Sequence, residues 1–423
     1  MKKQNKKKII NDPVHGFISI QSELIFDLIE HPWLQRLRRI RQLGMTYLVY
    51  PGANHNRFQH VLGAMHLITE AIKILKTKGI KITNEEAEAT QIAILLHDLG
   101  HGPFSHTLEK FFVQDLNHEE ISLLFMSELN KQFDGKLTMA IQVFQNEYHK
   151  KFLHQLVSSQ LDMDRIDYLC RDSFFTGVSE GVIGSDRIIK MLNVVEDQIV
   201  IEAKGIYSVE KFLIARRLMY WQVYLHKTVI SIDQSLHQLL RRARYLLSTG
   251  YELQMSPILK FFLQNDIRNC DDLLADSQFR HSTVLELFAR LDDQHIYYSI
   301  SEWTFEQDRI MNFLANTLYN RKLFRIQIFP DYSFFNQDKI EQIKHSIRDV
   351  MGFDADEITY IFTSDIVSNK AYDSSKDNNI NILMPDNSII DIAKASDISN
   401  VSVLSNTVRK YFICYPKVFS IIP

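Results

Sequence analysis

Cysteine is scarce in this chain, with Cys170, Cys270 and Cys414 the only three in 423 residues. An odd number without CxxC spacing excludes both a disulfide scaffold and a thiolate zinc site, and it points to a reducing, cytoplasmic setting. An excess of one charge is also missing. Lys and Arg total 48 against 51 Asp and Glu, a net charge of -3, so no overall basic footprint announces nucleic acid, and only a local basic site remains open. No uninterrupted apolar run approaches the ~20 residues that a spanning helix requires, and no membrane partner is expected. Internal repeats, long low-complexity tracts and a phosphate-cradling GxxxxGK motif are absent as well. The basic start, Met1 to Lys8, leads into Ile9-Ile10-Asn11-Asp12 rather than the apolar centre of a signal peptide, and reads as a solvated tail.

What remains is ordinary globular material, 45% hydrophobic and 23% charged. A chain of this length suggests one large domain plus an appended lobe. Its most informative stretch is His97-Asp98-Leu99-Gly100-His101-Gly102-Pro103-Phe104-Ser105-His106, which follows the apolar run Ile92-Ala93-Ile94-Leu95-Leu96. Imidazole and carboxylate together suit a divalent cation such as Mn, Fe or Zn. The glycines and Pro103 end a helix where the polar groups gather. A lone His-Asp pair also occurs at ordinary helix ends, so the cluster needs distant partners before it counts as a site.

In chain order, Asn11-Asp12-Pro13-Val14-His15-Gly16 is turn chemistry. An amphipathic segment runs from Glu23 to Glu30. Pro32 opens a further helical pattern through Trp33, Leu34, Leu37, Ile40 and Leu43, with Arg36, Arg38, Arg39 and Arg41 between them as either a solvated face or an anion contact. A loop at 50–56 precedes helical character from Arg57, which places Arg57 and His60 on one face. Thr83 and Glu86 have capping-box spacing, and Asn117 caps another helix that begins at His118. Asp164, Tyr168 and Asp172 recur every fourth residue and line one helix face. Gly177, Gly181 and Gly184 form a loop that closes over something. Arg216, Tyr220 and Tyr224 again recur every fourth residue in a helical pattern spanning 209–240, with Lys227 on the next turn. Beyond about residue 250 helical patterns continue to Tyr319, and strand-like runs follow at 323–329, 358–362, 380–384 and 411–415. Residues 373–379 read as a flexible loop.

His60, His97-Asp98 and Asp164 form an ordered H…HD…D set that resembles the HD-domain metal-dependent phosphohydrolases. The surrounding strings narrow the resemblance. Asn11 to Gly16, Gln42-Leu43-Gly44, Pro51 to His60, His97 to His106 and Asp164 to Asp172 look like the deoxynucleoside triphosphate (dNTP) triphosphohydrolase branch, which includes the SAM-and-HD-domain dNTPase and its bacterial relatives. The likeness covers residues 9–230. It implies a mainly α fold: an all-helical HD core over 1–250 and a smaller mixed α+β lobe over 251–423.

The resemblance further implies that His60, His97, Asp98 and Asp164 bind one divalent metal ion per active site, with Mn, Fe, Zn, Ni and Mg as candidates. His101, His106 and His118 would serve as catalytic or phosphate-contacting histidines, with His106 or His118 giving a proton to the departing oxygen. Arg57, Arg216 and Lys227 would neutralise a triphosphate. Gln42, Leu43, Tyr168 and Asp172 would meet the nucleoside, Asp172 at the 3′-hydroxyl, and Tyr224 would crowd the 2′ position. Arg165 and Tyr220 depart from the family's best-known member, where lysine and histidine stand, and Arg keeps the charge with a different geometry. Asn11, Asp12, Gln35 and Arg38 fall in strings that correspond to a regulatory nucleotide site, and the family's tetramers imply a dimer or tetramer here. The expected reaction is hydrolysis of a dNTP to deoxynucleoside and inorganic triphosphate. The competing readings are an HD phosphohydrolase acting on a guanosine polyphosphate or a nucleoside monophosphate, and a sensor that binds nucleotide or nucleic acid without catalysis.

Overall fold

The computed structural model describes residues 8–330, 337–373, 379–397 and 404–417. Residues 1–7 of the expected basic tail, Met1 to Lys8, and most of the expected loop at 373–379 lie outside these residues, while Lys8 belongs to the first strand. Helices dominate, as expected, and the sheets are small. No helix among the described residues is long and apolar enough to cross a membrane.

The chain enters through a hairpin of strands Lys8–Asp12 and Gly16–Ile20, paired from Lys8 with Ile20 to Asp12 with Gly16. Asp12 shapes the turn by accepting hydrogen bonds from the backbone N–H groups of Val14 and His15 at 3.0 and 2.9 Å, as a short carboxylate does in turns. Helix Glu23–Glu30 follows with the expected bounds, capped by Ser22. The expected helix from Pro32 to Leu43 does not run on. It is a single turn, Pro32–Gln35, that tightens into a 3₁₀ segment at Arg36–Arg39, with a second 3₁₀ segment at Gly44–Leu48. The reason is long-range. The buried Arg36 guanidinium donates from Nε to Leu291 O at 2.9 Å and from Nη1 to Leu99 O at 3.2 Å, while Asp293 accepts from Arg41 N at 2.9 Å. Local helical spacing yields to these tertiary bonds.

Two helices carry the centre of the core. Arg57–Thr77 starts in a capping box made by Asn56 and Gln59, and Asn84–Leu96 starts in one made by Thr83 and Glu86. Ile92 to Leu96 are all buried, so the second helix delivers His97 and Asp98 from a fixed base. Gly100 then has no room for a side chain, because a Cβ there would lie 2.0 Å from His118 O and 2.5 Å from Ser122 N. This close approach packs the turn against helix His118–Gln132, which opens with the capping box of Asn117 and Glu120. Phe104 sits in the left-handed region, φ 48°, and starts helix Ser105–Phe112. Helix Met163–Thr176 is capped by Asp162 and ended by Gly177 at φ 73°, the conformation that glycine adopts without strain.

The expected helix over 209–240 is interrupted. Helix Ile206–Met219 passes into a π-helical turn at Tyr220–Tyr224, and a new helix runs over Lys227–Ser248. Strands Leu192–Val195 and Gln198–Glu202 form one half of a four-stranded sheet whose other half, Asn381–Leu383 and Ile389–Asp391, comes from the far end of the chain. A second sheet places strand Val408–Tyr415 between Arg325–Phe329 and Thr363–Asn369. The run at 358–362, expected as a strand, lies instead in helix Ala355–Ile361, started by a capping box of Asp354 and Glu357. The short apolar run there has no period of its own that separates helix from strand.

Candidate active site

His60 and His97, on or just after the two central helices, meet Asp164 from the first turn of helix Met163–Thr176. One ligand atom from each lies within 4.8 Å of the other two. His60 Nε2 is 2.9 Å and His97 Nε2 3.4 Å from the same oxygen, Asp164 Oδ1. Asp98 stands beside this trio, with Oδ1 3.2 Å from His97 Nε2 and Oδ2 3.8 Å from His60 Nε2. Its carboxylate is held by Arg57 Nη1 at 2.6 Å and by His101 Nε2 at 3.2 Å. Two imidazoles and a carboxylate converging on one point, with a second carboxylate adjacent, fit a divalent cation. His97 Nε2 is also buried without a hydrogen-bond partner, as a ligand atom reserved for a metal would be.

The electrostatics agree with that fit. Burial disfavours a charged His60, yet the hydrogen bonds of Asp164 and Asp167 and the charge of Asp98 prevail and lift it to about 10. The carboxylates thus create a strongly negative potential at the ring. Burial likewise opposes the charge on Asp164, but His60 and His97 hold its carboxyl well below the usual range. A bound cation answers the same potential and takes the place of the proton. His101 behaves differently, because burial and the Arg57 charge push it well below the ordinary value and keep it neutral near pH 7.

Behind the ligands lies a buried network that the four-residue spacing did not reveal. His60 Nδ1 donates to Asp167 Oδ2 at 2.7 Å, and Asp167 also meets His15 Nε2 at 2.7 Å and Arg171 at 2.9 Å. Arg171 Nη1 continues to Asp12 Oδ2 at 2.8 Å. Gly63 makes room for this, since a Cβ there would lie 2.0 Å from Asp167 Oδ1. Asp12, expected in a regulatory site, is therefore engaged here by Arg171 and its own turn. The remaining expected regulatory residues lie elsewhere: Asn11 is exposed on the first strand, Gln35 Nε2 donates to Ile29 O, and Arg38 donates to Gln35 and covers the Phe58 ring at 3.7 Å.

The metal-ligand trio opens into a cavity of about 850 Å³. Gln42, Leu43, Arg57, His101, His118, Arg165, Tyr168, Asp172, Tyr220 and Tyr224 all line it, as expected. Asp164, Tyr168 and Asp172 do share one helix face. The π-helical turn presents Tyr220 and Tyr224 to the same space although the regular helix has ended, a common use of such turns. Gln42 Oε1 is buried without a protein partner, and so is available to a ligand donor.

Two expected contacts stand apart from this lining. Arg216 is buried with Nη1 3.2 Å from Gln160 Oε1, and Lys227 opens helix Lys227–Ser248; neither lines the cavity. The side chain of His106 lies outside the described part of the structure. Arg57 lines the cavity, but Nη1 and Nη2 are already committed to Asp98 and to Ser105 Oγ, at 2.6 and 2.8 Å. Its first effect is to orient a carboxylate. Glu109, not foreseen, holds His118 Nδ1 at 2.5 Å, and His118 stacks on His101 with ring centroids 3.9 Å apart.

Comparison with known proteins covers the same stretch of the chain. The HD domain model matches residues 57–172, and the HD associated region matches residues 183–261. The chain is 37% identical to YwfO, an uncharacterized protein of Bacillus subtilis, over 76% of this chain and 72% of that one. The crystal structure of a phosphohydrolase from Bacteroides thetaiotaomicron shares 49% identity and a TM-score of 0.91, over 97% of this chain and 100% of that one. A deoxynucleoside triphosphate triphosphohydrolase SAMHD1 homolog of Dictyostelium discoideum is 32% identical over 54% of this chain, which spans 48% of that protein. The HD match contains His60, His97, Asp98 and Asp164 together, and on these grounds the chain belongs to the HD-domain phosphohydrolases, in the branch that resembles the dNTP triphosphohydrolases.

Proposed function

We propose that the protein hydrolyses deoxynucleoside triphosphates to the deoxynucleoside and inorganic triphosphate. The observation that carries this reading is the composition of one cavity. Its metal-ligand trio lies in the same 850 Å³ space as Arg165 and the Tyr168, Asp172, Tyr220 and Tyr224 wall. An anionic head and a hydroxyl-bearing ring could thus be held at once.

A divalent ion on His60, His97, Asp98 and Asp164 would supply Lewis acidity at a phosphoryl oxygen and a more acidic bound water. The protein's own side chains divide the other tasks. Arg57 fixes Asp98, and Arg165 offers a guanidinium to phosphate oxygens. Asp172 accepts from Tyr224 OH at 2.7 Å, which leaves its remaining lone pairs for a ligand hydroxyl. Tyr224 is thereby fixed where it crowds a ribose 2′ position. His118, which Glu109 orients, would give a proton to the leaving oxygen. The expected cytoplasmic setting, nucleotide activation and assembly as a dimer or tetramer belong to the same reading.

Chromatography of products tests it. Each dNTP, alone and in pairs, is incubated with the protein and with Mn, Fe, Zn, Ni or Mg in turn. Free triphosphate, lost in His97→Ala, supports the reading. Release of single phosphates, or turnover only of guanosine polyphosphates or monophosphates, overturns it in favour of another HD phosphohydrolase. Tight nucleotide binding without turnover favours a sensor.

A further inference from the structure

His55 is 1% exposed and does not line the cavity, yet it touches two residues that do. Its backbone carbonyl accepts from Gln42 N at 3.1 Å, and its Nε2 lies 2.7 Å from Asp172 Oδ1. The ring is stacked on Phe175, with centroids 4.6 Å apart and planes 15° apart. Gly52 allows the loop to lie this close, because a Cβ there would be 2.4 Å from Phe175 O. Nδ1 is buried without a hydrogen-bond partner, so the polar interaction of the ring is the one with Asp172. Asp172 is therefore gripped from both sides, by His55 at Oδ1 and by Tyr224 OH at Oδ2, each at 2.7 Å.

We infer that His55 is the positioning residue for sugar-hydroxyl recognition, acting through Asp172 and resting on the dNTP reading above. An ionised carboxylate is acceptor-only, so the group that meets Asp172 in the cavity must be a donor, and a sugar 3′-hydroxyl is such a donor. Without the His55 contact, one Asp172 oxygen loses its partner and the carboxylate is free to rotate. The hydroxyl contact then weakens while the phosphate end is untouched. A 3′-deoxy nucleotide, which makes no such contact, gains nothing from His55.

Steady-state kinetics on a dNTP and the matching 2′,3′-dideoxynucleoside triphosphate test the assignment in the full-length protein. Wild type is expected to favour the dNTP by at least about tenfold in kcat/KM, since a site built to bond a hydroxyl rejects the analogue that lacks it. His55→Ala should cut kcat/KM on the dNTP about tenfold, the value of one hydrogen bond to a charged group, and leave the dideoxy substrate within about twofold of wild type. His55→Gln, whose side-chain amide can donate to the same oxygen, should recover most of the preference. The ratio between the two substrates is independent of the folded fraction, so partial unfolding does not mimic the result. Equal losses on both substrates, or an unchanged ratio, would overturn the role of His55 while leaving the dNTP reading intact. Wild type that turns over neither nucleotide, with each divalent metal and with a second dNTP present, overturns the dNTP reading, and this assignment with it.

Discussion

His60 donates its Nδ1–H to Asp167 Oδ2 at 2.7 Å while its Nε2 faces Asp164 at 2.9 Å. One carboxylate thus fixes the tautomer and the plane of a ring whose other nitrogen belongs to the metal site. Partners of this kind raise ligand basicity and are worth about 10–100-fold in metal affinity. Asp167→Asn keeps the shape and removes the charge. Metal titration should show about a tenfold weaker site, with activity restored at higher metal concentration; affinity equal to wild type would contradict it.

Much of this was legible in the sequence, and the part that was not has an identifiable cause. The set His60, His97, Asp98 and Asp164 is legible through the family resemblance, since all four fall in the strings that carry it, and the structure brings His60, His97 and Asp164 together; helix bounds such as Glu23–Glu30 follow from apolar period and caps. Asp167 escaped attention because the stripe at 164, 168 and 172 defines the cavity face, and a residue three positions along points to a different neighbour. Its partner His15 lies more than 150 residues away, as does Asp12 from Arg171, through which it joins the network. The broken helix after Pro32 has the same origin: Arg36 is drawn to Leu291 and Leu99, bonds that no local window contains.

Removing the metal should reveal how much of the native state depends on it. A ligand that binds only the folded chain stabilises it by about 2.7 kcal/mol at a hundredfold excess over Kd. The Tm of wild type is therefore expected to fall on treatment with a chelator and to recover when a divalent ion is added back. His97→Ala should show neither the fall nor the recovery, and its turnover should be lost. A chelator-sensitive Tm in that variant would show that the ion binds elsewhere.

Glu109 and His118 form a pair 2.5 Å apart, beside a His101 that burial keeps neutral. If His118 donates the proton, its orientation governs the chemical step more than binding. Glu109→Gln should lower kcat by about 100-fold, the lower end of the scale of general acid catalysis, with KM changed less than threefold or so. A change in KM alone would assign the pair to binding instead.

Asp233 lines the cavity and accepts from Thr107 Oγ1 at 2.7 Å, linking helix Lys227–Ser248 to helix Ser105–Phe112. Burial raises its carboxyl from 3.8 to about 7, against the opposing effect of the Thr107 hydrogen bond. Between these two values the folded chain holds a proton that the unfolded chain has released, so stability falls as pH rises through the window. The penalty is absent below about pH 3.8 and complete above about pH 7. Asp233→Asn retains a hydrogen-bonding oxygen and removes the charge. Chemical denaturation should find the variant more stable than wild type at pH 8, by up to about 4 kcal/mol, as a shift of this direction and size implies. The difference should shrink steadily toward pH 4, and a gap that stays constant with pH would trace the gain to packing rather than to the buried charge.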